Sequence, residues 1–484
     1  MGKDLEIQRR LAISRVPINK QDPQARKKNW DEVFLGFDID HAKIEAMRCL
    51  HCPTAPCQEA CPVHNDIPGA FTLLEQGDVG GAAETFRQTS NLPELCGRLC
   101  PQERLCEGEC VVAFAIRPDS HQEPPVSIGK LEAFVTDYQR KHLGVPLPAV
   151  RPASGFKVAV VGAGPAGLAV AEELSKLGHS CVMYDAWPEP GGVLLYGIPN
   201  FKLSKEVLQD KLKYLEHLGV GFIGNTWIGK DVTIDDLFNT GFDAVFVGTG
   251  AGLGGTLAIQ GEELRGIHAA TEFLVRGNLR PEQLPEHMRE PLRVGRNVVV
   301  IGGGDTSMDC VRTAVRIGAE HVTCIYRRTE AEMPGRGEER EHARQEGVNF
   351  QFLTIPLRFI GDADGNVAGV ECQRMALGDP DESGRRRPVP VPHSEFVLDA
   401  DTIAIAIGYN ADPIIKDAAP GVATDRWNLV EVHPETFMTT RPGVFAGGDN
   451  VNGADLVVTA LADGRRAALA IHEYLDSLPP RNLA

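Results

Sequence analysis

The apolar positions of this chain change rhythm near residue 155. Before that point they fall in short helical groupings, as in Ile67 to Gln76 and Ile128 to Lys141, with no strand-like alternation. A small helical domain is predicted over residues 1–150. The stretch Gly144 to Gly155 reads as a linker, because Pro146, Pro148 and Pro152 favour extended backbone and offer few packing contacts. From Phe156 the pattern becomes apolar strand, glycine turn, helix, strand, and the same pattern returns at Asn297. The expected class is α/β, with one repeat unit (residues 256–404) inserted in a discontinuous other (155–255 and 405–484). The closing segment is assigned to the first unit on its glycine-rich Phe445-Ala-Gly-Gly-Asp449. Asp379 to Pro392, charged and proline-rich, reads as a loop or hairpin.

The two glycine turns carry the first chemistry. Lys157 to Val161 runs into Gly162-Ala-Gly164-Pro165-Ala166-Gly167, then into a helix through Leu168, Leu174 and Leu177 that stops at Gly178. Gly162 permits the tight turn, Gly164 lets backbone approach a pyrophosphate, Gly167 permits close helix-to-strand packing, and the helix N-terminus supplies N–H groups. The next strand, Cys181 to Tyr184, ends at Asp185, suited to a ribose diol and repulsive to a 2′-phosphate. A similar run, Gly250-Ala-Gly252-Leu-Gly254-Gly255, lacks the following helical pattern and reads as a turn that crosses between domains.

In the second unit Asn297 to Ile301 is the strand, Gly302-Gly303-Gly304-Asp305-Thr306-Ser307 the turn, and Met308 to Ile317 the helix. Ser307 stands where a third glycine is usual. The next strand, His321 to Tyr326, ends in Arg327-Arg328 with Arg336 nearby, and guanidinium groups there can hold a 2′-phosphate; a solvated basic turn is the competing reading. Two Rossmann-like units of opposite character imply FAD in the first and NADPH in the second. The cofactors react with each other, so no catalytic acid or base is assigned.

Composition narrows the setting. Of 484 residues, 49 are basic and 66 acidic, a net charge of −17 that argues against nucleic acid or an anionic membrane as partner. No apolar run reaches the length of a membrane span and the first thirty residues lack a signal-peptide core, so a cytoplasmic protein is expected. Eight of the 12 cysteines fall between Cys49 and Cys110, spaced Cys49-x2-Cys52-x4-Cys57-x3-Cys61-Pro62 and Cys96-x3-Cys100-Pro101-x4-Cys106-x3-Cys110. In a reducing compartment this crowding suggests metal ligation over disulfides. Iron–sulfur clusters take four thiolates each, and in two-cluster ferredoxins the last cysteine before a proline serves the other cluster, so Cys61 should leave its neighbours. Structural zinc is the rival. No C-x-x-C pair lies between residues 156 and 484, which leaves iron and sulfide as the exit for a flavin's electrons.

Together these motifs resemble the small, or beta, subunit of NADPH-dependent glutamate synthases over nearly the whole chain. The resemblance rests on Cys96-Gly-Arg-Leu-Cys-Pro-Gln, Tyr196-Gly-Ile-Pro199, Phe201-Lys-Leu203, Met308-Asp-Cys-Val-Arg312, Tyr326-Arg-Arg328, Met333-Pro-Gly335 and Gly453-Ala-Asp-Leu-Val-Val-Thr459. The reductase portion of dihydropyrimidine dehydrogenase is related. The resemblance implies that the helical domain holds two 4Fe-4S clusters, one on Cys49, Cys52, Cys57 and Cys110, the other on Cys61, Cys100, Cys106 and an oxygen ligand at Glu132, with Cys96 as that ligand's rival. It also implies that Gly191, Gly192, Gly448, Asp449 and Thr459 complete the FAD site. The expected partner is a large subunit with FMN and its own iron–sulfur cluster, which makes L-glutamate from L-glutamine and 2-oxoglutarate. Met1-Gly2 in place of an amino-terminal cysteine places that half elsewhere. A ferredoxin-type acceptor, or a pyrimidine-reducing one, is the alternative.

Overall fold

The computed structural model describes residues 2–115, 122–382 and 384–481. Ser383, inside the Asp379 to Pro392 stretch, lies outside the described residues, as does Met1.

The N-terminal part is helical, as its periodicity requires. Helix Ile67–Gln76 begins with Asp66 Oδ1 accepting from Gly69 N–H at 3.0 Å and ends at Gly77 in left-handed backbone (φ +88°). Asp78 caps the next helix, Val79–Thr89, in the same way. Their apolar faces meet at Phe71 and Phe86, edge to face with centroids 6.4 Å apart, and Leu131 and Val135 of Ile128–Tyr138 close the core. A short antiparallel pair, Asn19–Lys20 with Phe34–Gly36, departs from the expected absence of strands. Pairs this short leave no alternation to read. Residues 144–155 carry no regular structure, in keeping with the linker reading.

Beyond it stand two parallel five-stranded sheets. The first runs Val444–Ala446, Ala244–Val247, Lys157–Val161, Ser180–Tyr184, Gly221–Ile223; the second runs Asn349–Gln351, His321–Ile325, Asn297–Ile301, Thr402–Ile405, Ile267–Ala269. Both faces of the second sheet are covered, one by helix residues such as Phe273, Met308 and Val311 and the other by Phe359, Val370 and Cys372 of antiparallel strands, so its central strand, like that of the first sheet, is a nearly continuous apolar run. The second unit is inserted in the first. The chain crosses over at Leu253–Gly254 and returns at Tyr409–Asn410, and these two segments pair antiparallel. The boundary expected at 404/405 therefore falls inside the Thr402–Ile405 strand, which must finish its pairing with Asn297–Ile301 before the chain can leave. Thr354–Gly361, Val367–Pro380 and Arg386–Asp399 add an antiparallel three-stranded sheet, and of the Asp379 to Pro392 stretch Pro380 pairs with Arg386 where the second and third strands meet.

Candidate cofactor sites

In the first unit, helix Pro165–Lys176 starts where the strand Lys157–Val161 ends. Gly162 has φ +98°, and a Cβ there would stand 2.3 Å from Gly248 O; a Cβ on Gly167 would stand 2.0 Å from Gly162 O. Only glycine fits either place. Gly164 differs, because the nearest atom to its would-be Cβ is Gly192 Cα at 3.9 Å, while a Cβ on Gly192 (φ +51°) would fill the gap at 2.8 Å from Gly164 Cα. The two bare backbones thus face a space that a side chain would occupy, as a pyrophosphate cradle needs. Gly191, at φ +132°, donates its N–H to Ala163 O at 2.9 Å and so ties this second loop to the turn. Asp185 accepts from Ala163 N–H (2.8 Å) and Trp187 N–H (2.9 Å), and burial pushes its carboxyl up.

The C-terminal segment closes the same unit. Gly448 donates its N–H to buried Asp463 at 3.1 Å, and burial pushes the Asp449 carboxyl up to about 6. Thr459 Oγ accepts from Leu456 N–H and returns a bond to Leu456 O, which opens helix Val457–Asp476. That helix packs on Pro165–Lys176 closely enough that a Cβ on Gly464 would stand 2.4 Å from Ala166 O.

The second turn repeats the plan. Gly302 (φ +145°) has Ala406 O 2.1 Å from a would-be Cβ, Gly303 has the Tyr326 ring at 2.5 Å, and Gly304 has open space. Asp305 and Thr306 start helix Asp305–Arg316, three residues earlier than expected. Ser307, at the third glycine place, is fully buried with its hydroxyl directed to Ala406 O at 3.4 Å. The three arginines part company. Arg327 is exposed at the end of the His321–Ile325 strand. Arg328 is buried, donating to Asp381 (2.6 Å) and to Arg386 O (2.7 Å). Arg336 is buried as well, held by Glu339 and by the carbonyls of Arg98 and Cys100. Of the three arginines expected to meet a 2′-phosphate, Arg327 is the exposed one, while the guanidinium groups of Arg328 and Arg336 are engaged within the protein.

The eight cysteines divide between two cavities. Cys49, Cys52, Cys57 and Cys110 line one, with Pro56, Phe71, Val112 and Val126 around them; Cys61, Cys96, Cys100, Cys106 and Glu132 line the other, with Leu105 and Val458. Cys61 has left its sequence neighbours. Burial favours the neutral thiols, pushing Cys49 and Cys57 up to about 12 and Cys61 up to about 11. A cationic iron–sulfur core reverses that balance by binding the thiolates. Glu132 is buried, accepts from Asn65 Nδ2 at 3.2 Å, and has its carboxyl raised well above the usual range by burial. Cys96 lies deeper, 3.7 Å from Ser90 Oγ. The two donor sets are of a kind that would suit iron–sulfur clusters, the first walled mostly by apolar residues and the second also by Asn65 and Gln102.

Sequence reasoning missed what stands between these sites. Ile67 and Ile128 line both cysteine cavities, and Val458 brings the flavin unit's last helix to the wall of the second. An isoleucine in a helical pattern carries no signal that it separates two sites.

An N-terminal 4Fe-4S domain ahead of two interleaved dinucleotide units defines an NADPH-linked flavoprotein oxidoreductase. Residues 26–143 match the family model of dihydropyrimidine dehydrogenase domain II, 4Fe-4S cluster, and residues 156–464 match that of pyridine nucleotide-disulphide oxidoreductases. The chain belongs to the family of NADPH-dependent glutamate synthase small chains. It is 41% identical to the glutamate synthase [NADPH] small chain of Escherichia coli K12 over 96% of this chain and 98% of that one, and 39% identical to that of Azospirillum brasilense over 94% of each. It is also 37% identical to the NADPH-Fe(3+) oxidoreductase subunit beta of Geobacter sulfurreducens, over 93% of this chain and 68% of that one. Among solved structures, FprA of Mycobacterium tuberculosis in complex with NADPH aligns with a TM-score of 0.56 at 21% identity, covering 67% of this chain and 85% of that one, a likeness of fold. No helix among the described residues is long and apolar enough to cross a membrane.

Proposed function

We propose that this chain is the electron-input subunit of a glutamate synthase, which takes reducing equivalents from NADPH at a bound FAD and delivers them, by way of two bound 4Fe-4S clusters, to a separate large subunit. FAD supplies the change from a two-electron donor to one-electron carriers. The protein's part is to hold and separate. Gly162, Gly164, Gly167, Asp185, Gly191, Gly192, Gly448, Asp449 and Thr459 hold FAD. Gly302 to Thr306 hold the NADPH pyrophosphate, and Arg327 meets the 2′-phosphate. Cys49, Cys52, Cys57 and Cys110 ligate one cluster, and Cys61, Cys100, Cys106 and Glu132 the other. The large subunit carries FMN and a cluster of its own and makes L-glutamate from L-glutamine and 2-oxoglutarate.

One observation carries this reading: the second cysteine cavity shares Val458 with the flavin unit, and Ile67 and Ile128 with the first cavity. These shared walls support a row of sites that begins at the flavin. Anaerobic titration with NADPH tests it. Flavin bleaching should be followed by two distinct iron–sulfur EPR signals, and colourless or zinc-loaded protein would end the proposal. The Geobacter relative keeps a second acceptor in view. Co-purification of a large amidotransferase-like subunit supports glutamate synthase, and recovery of a ferredoxin or a ferric reductase component supports the other.

A further inference from the structure

The loop Met333 to Gly337 backs onto the second dinucleotide turn. Gly335 N–H donates to Gly303 O at 3.0 Å, and a Cβ on Gly335 would stand 3.0 Å from Gly304 C and 3.2 Å from the Asp305 nitrogen. Arg336 then makes two contacts with one atom: its backbone N–H donates to Asp305 Oδ1 at 3.2 Å, and its Nε stands 3.5 Å from the same oxygen. Asp305 opens the helix of the phosphate-binding turn.

The far end of the guanidinium points the other way. Nη1 donates to Arg98 O at 3.1 Å and to Cys100 O at 3.4 Å, and Nη2 donates to Glu339 Oε1 at 3.2 Å. Gly337 N–H adds a bond to Glu103 Oε1 at 3.3 Å. One rigid, planar group, only 4% exposed, thus spans from the NADPH turn to the backbone of a cysteine in the second group. A hydrogen bond to the backbone of a ligand residue fixes how that ligand presents its sulfur.

We infer that Arg336 is a positioning residue, which registers the NADPH turn against the Cys100 loop and so links phosphate binding at Asp305 to the shape of the second cluster's site. The inference rests on the site assignments proposed above. It replaces the 2′-phosphate role expected of Arg336, since a guanidinium that holds Asp305, Glu339 and two carbonyls has no free face for a phosphate.

The experiment compares the anaerobic holoprotein with Arg336→Met and Arg336→Lys, with and without NADP⁺. In the unaltered protein NADP⁺ should slow backbone hydrogen exchange over residues 98–104 and shift the EPR signal of the reduced second cluster. In Arg336→Met, with FAD and iron contents retained, both responses should vanish; kcat should fall by on the order of tenfold or more, because misplacement far from the reacting atoms lowers rate, while KM for NADPH changes little. If Arg336→Met does not keep its FAD, Arg336→Lys carries the test, since one ammonium cannot span Asp305 and both carbonyls and must also lose the exchange response. An intact response in either variant, or none in the unaltered protein, overturns the inference. Should Cys100 hold no cluster, the EPR arm would be silent while the exchange arm still responded, so the two readings fail separately.

Discussion

Ile67 and Ile128 together form the partition between the two cysteine cavities, each side chain lining both and each only 2% exposed. Ile67 begins helix Ile67–Gln76 and Ile128 begins helix Ile128–Tyr138, so two helix starts place an apolar wall where two polar-liganded sites would otherwise merge. Val458 does the same service on the flavin side.

A partition of this kind makes the two groups separable by substitution. Cys52→Ser should remove one EPR signal and its iron while leaving the other, and Cys106→Ser should do the reverse. If either change erased both signals, the cysteines would belong to a single centre.

Glu132 and Cys96 compete for one place in the second group. Glu132 accepts from Asn65, whose Oδ1 in turn accepts from Thr89 at 2.6 Å, so the carboxylate is oriented from behind as metal ligands usually are. Glu132→Ala should therefore alter the EPR line shape and potential of the second cluster and spare the first, with Cys96→Ser nearly silent. The opposite ranking would make Cys96 the ligand.

The arginine pair should split by phenotype. Arg327→Ala should raise KM for NADPH by about 10- to 100-fold, the worth of a charge-assisted bond to phosphate, with little effect on NADH. Arg328→Ala removes a buried guanidinium together with its bonds to Asp381 and Arg386 O, and should instead lower the melting temperature, with nucleotide preference unchanged. Steady-state kinetics with both nucleotides, together with thermal denaturation, separate the two, and equal losses for NADPH and NADH at Arg327 would remove the phosphate assignment.

That split shows what the sequence could and could not convey. Glycine positions were legible because backbone geometry at Gly162, Gly167 and Gly302 is dictated locally, within a turn and the strand beside it. The strands and most helices followed from apolar period for the same reason. The partners of Arg328 and Arg336 were not legible because they come from distant chain: Asp381 lies at the end of a hairpin strand and Cys100 in another domain. The helix at Asp305 began early because its first turn is built on the phosphate loop, where polar residues hide helical periodicity. Nor did spacing disclose that Val458 would reach the second cavity.

The interface between the N-terminal part and the second dinucleotide unit rests on buried charge. Arg26 Nε meets Glu346 Oε1 at 2.8 Å, Arg312 and Arg316 share the same carboxylate, and both guanidinium groups lie over the Phe201 ring. Arg26→Ala leaves part of a fully buried carboxylate unpaired. It should cost about 3–5 kcal/mol, the usual range for breaking a buried pair, and chemical denaturation would read it. A loss below about 1 kcal/mol would mean that Arg312 and Arg316 alone satisfy Glu346.

The same interface should loosen in acid, and the sign follows from two groups. Burial alone would push the Glu346 carboxyl up, but hydrogen bonds from Arg316 and Arg312 and the charge of both outweigh it and hold the group down to about 2. Its unfolded counterpart titrates near the ordinary glutamate value of about 4.3, so its stabilisation is full above that value and is lost as pH falls toward 2. His342, on the same helix, is pushed down to about 3 by burial, the charges of Arg312 and Arg26 adding to it while Glu339 and Glu338 oppose. The unfolded chain then takes up a proton that the folded one refuses, and stability declines from about pH 6.5 downward. Both effects run in the same direction. Lys20 pairs with Glu338 across this contact at 3.1 Å. The stability that His342 and Glu346 contribute at this interface should therefore decline below pH 6.5 and more steeply below about 4.5, read as the difference in denaturation midpoint between the unaltered protein and variants at these two residues. In His342→Gln the first part of that decline should flatten, and an unchanged profile between pH 4.5 and 6.5 would assign the acid sensitivity to another histidine.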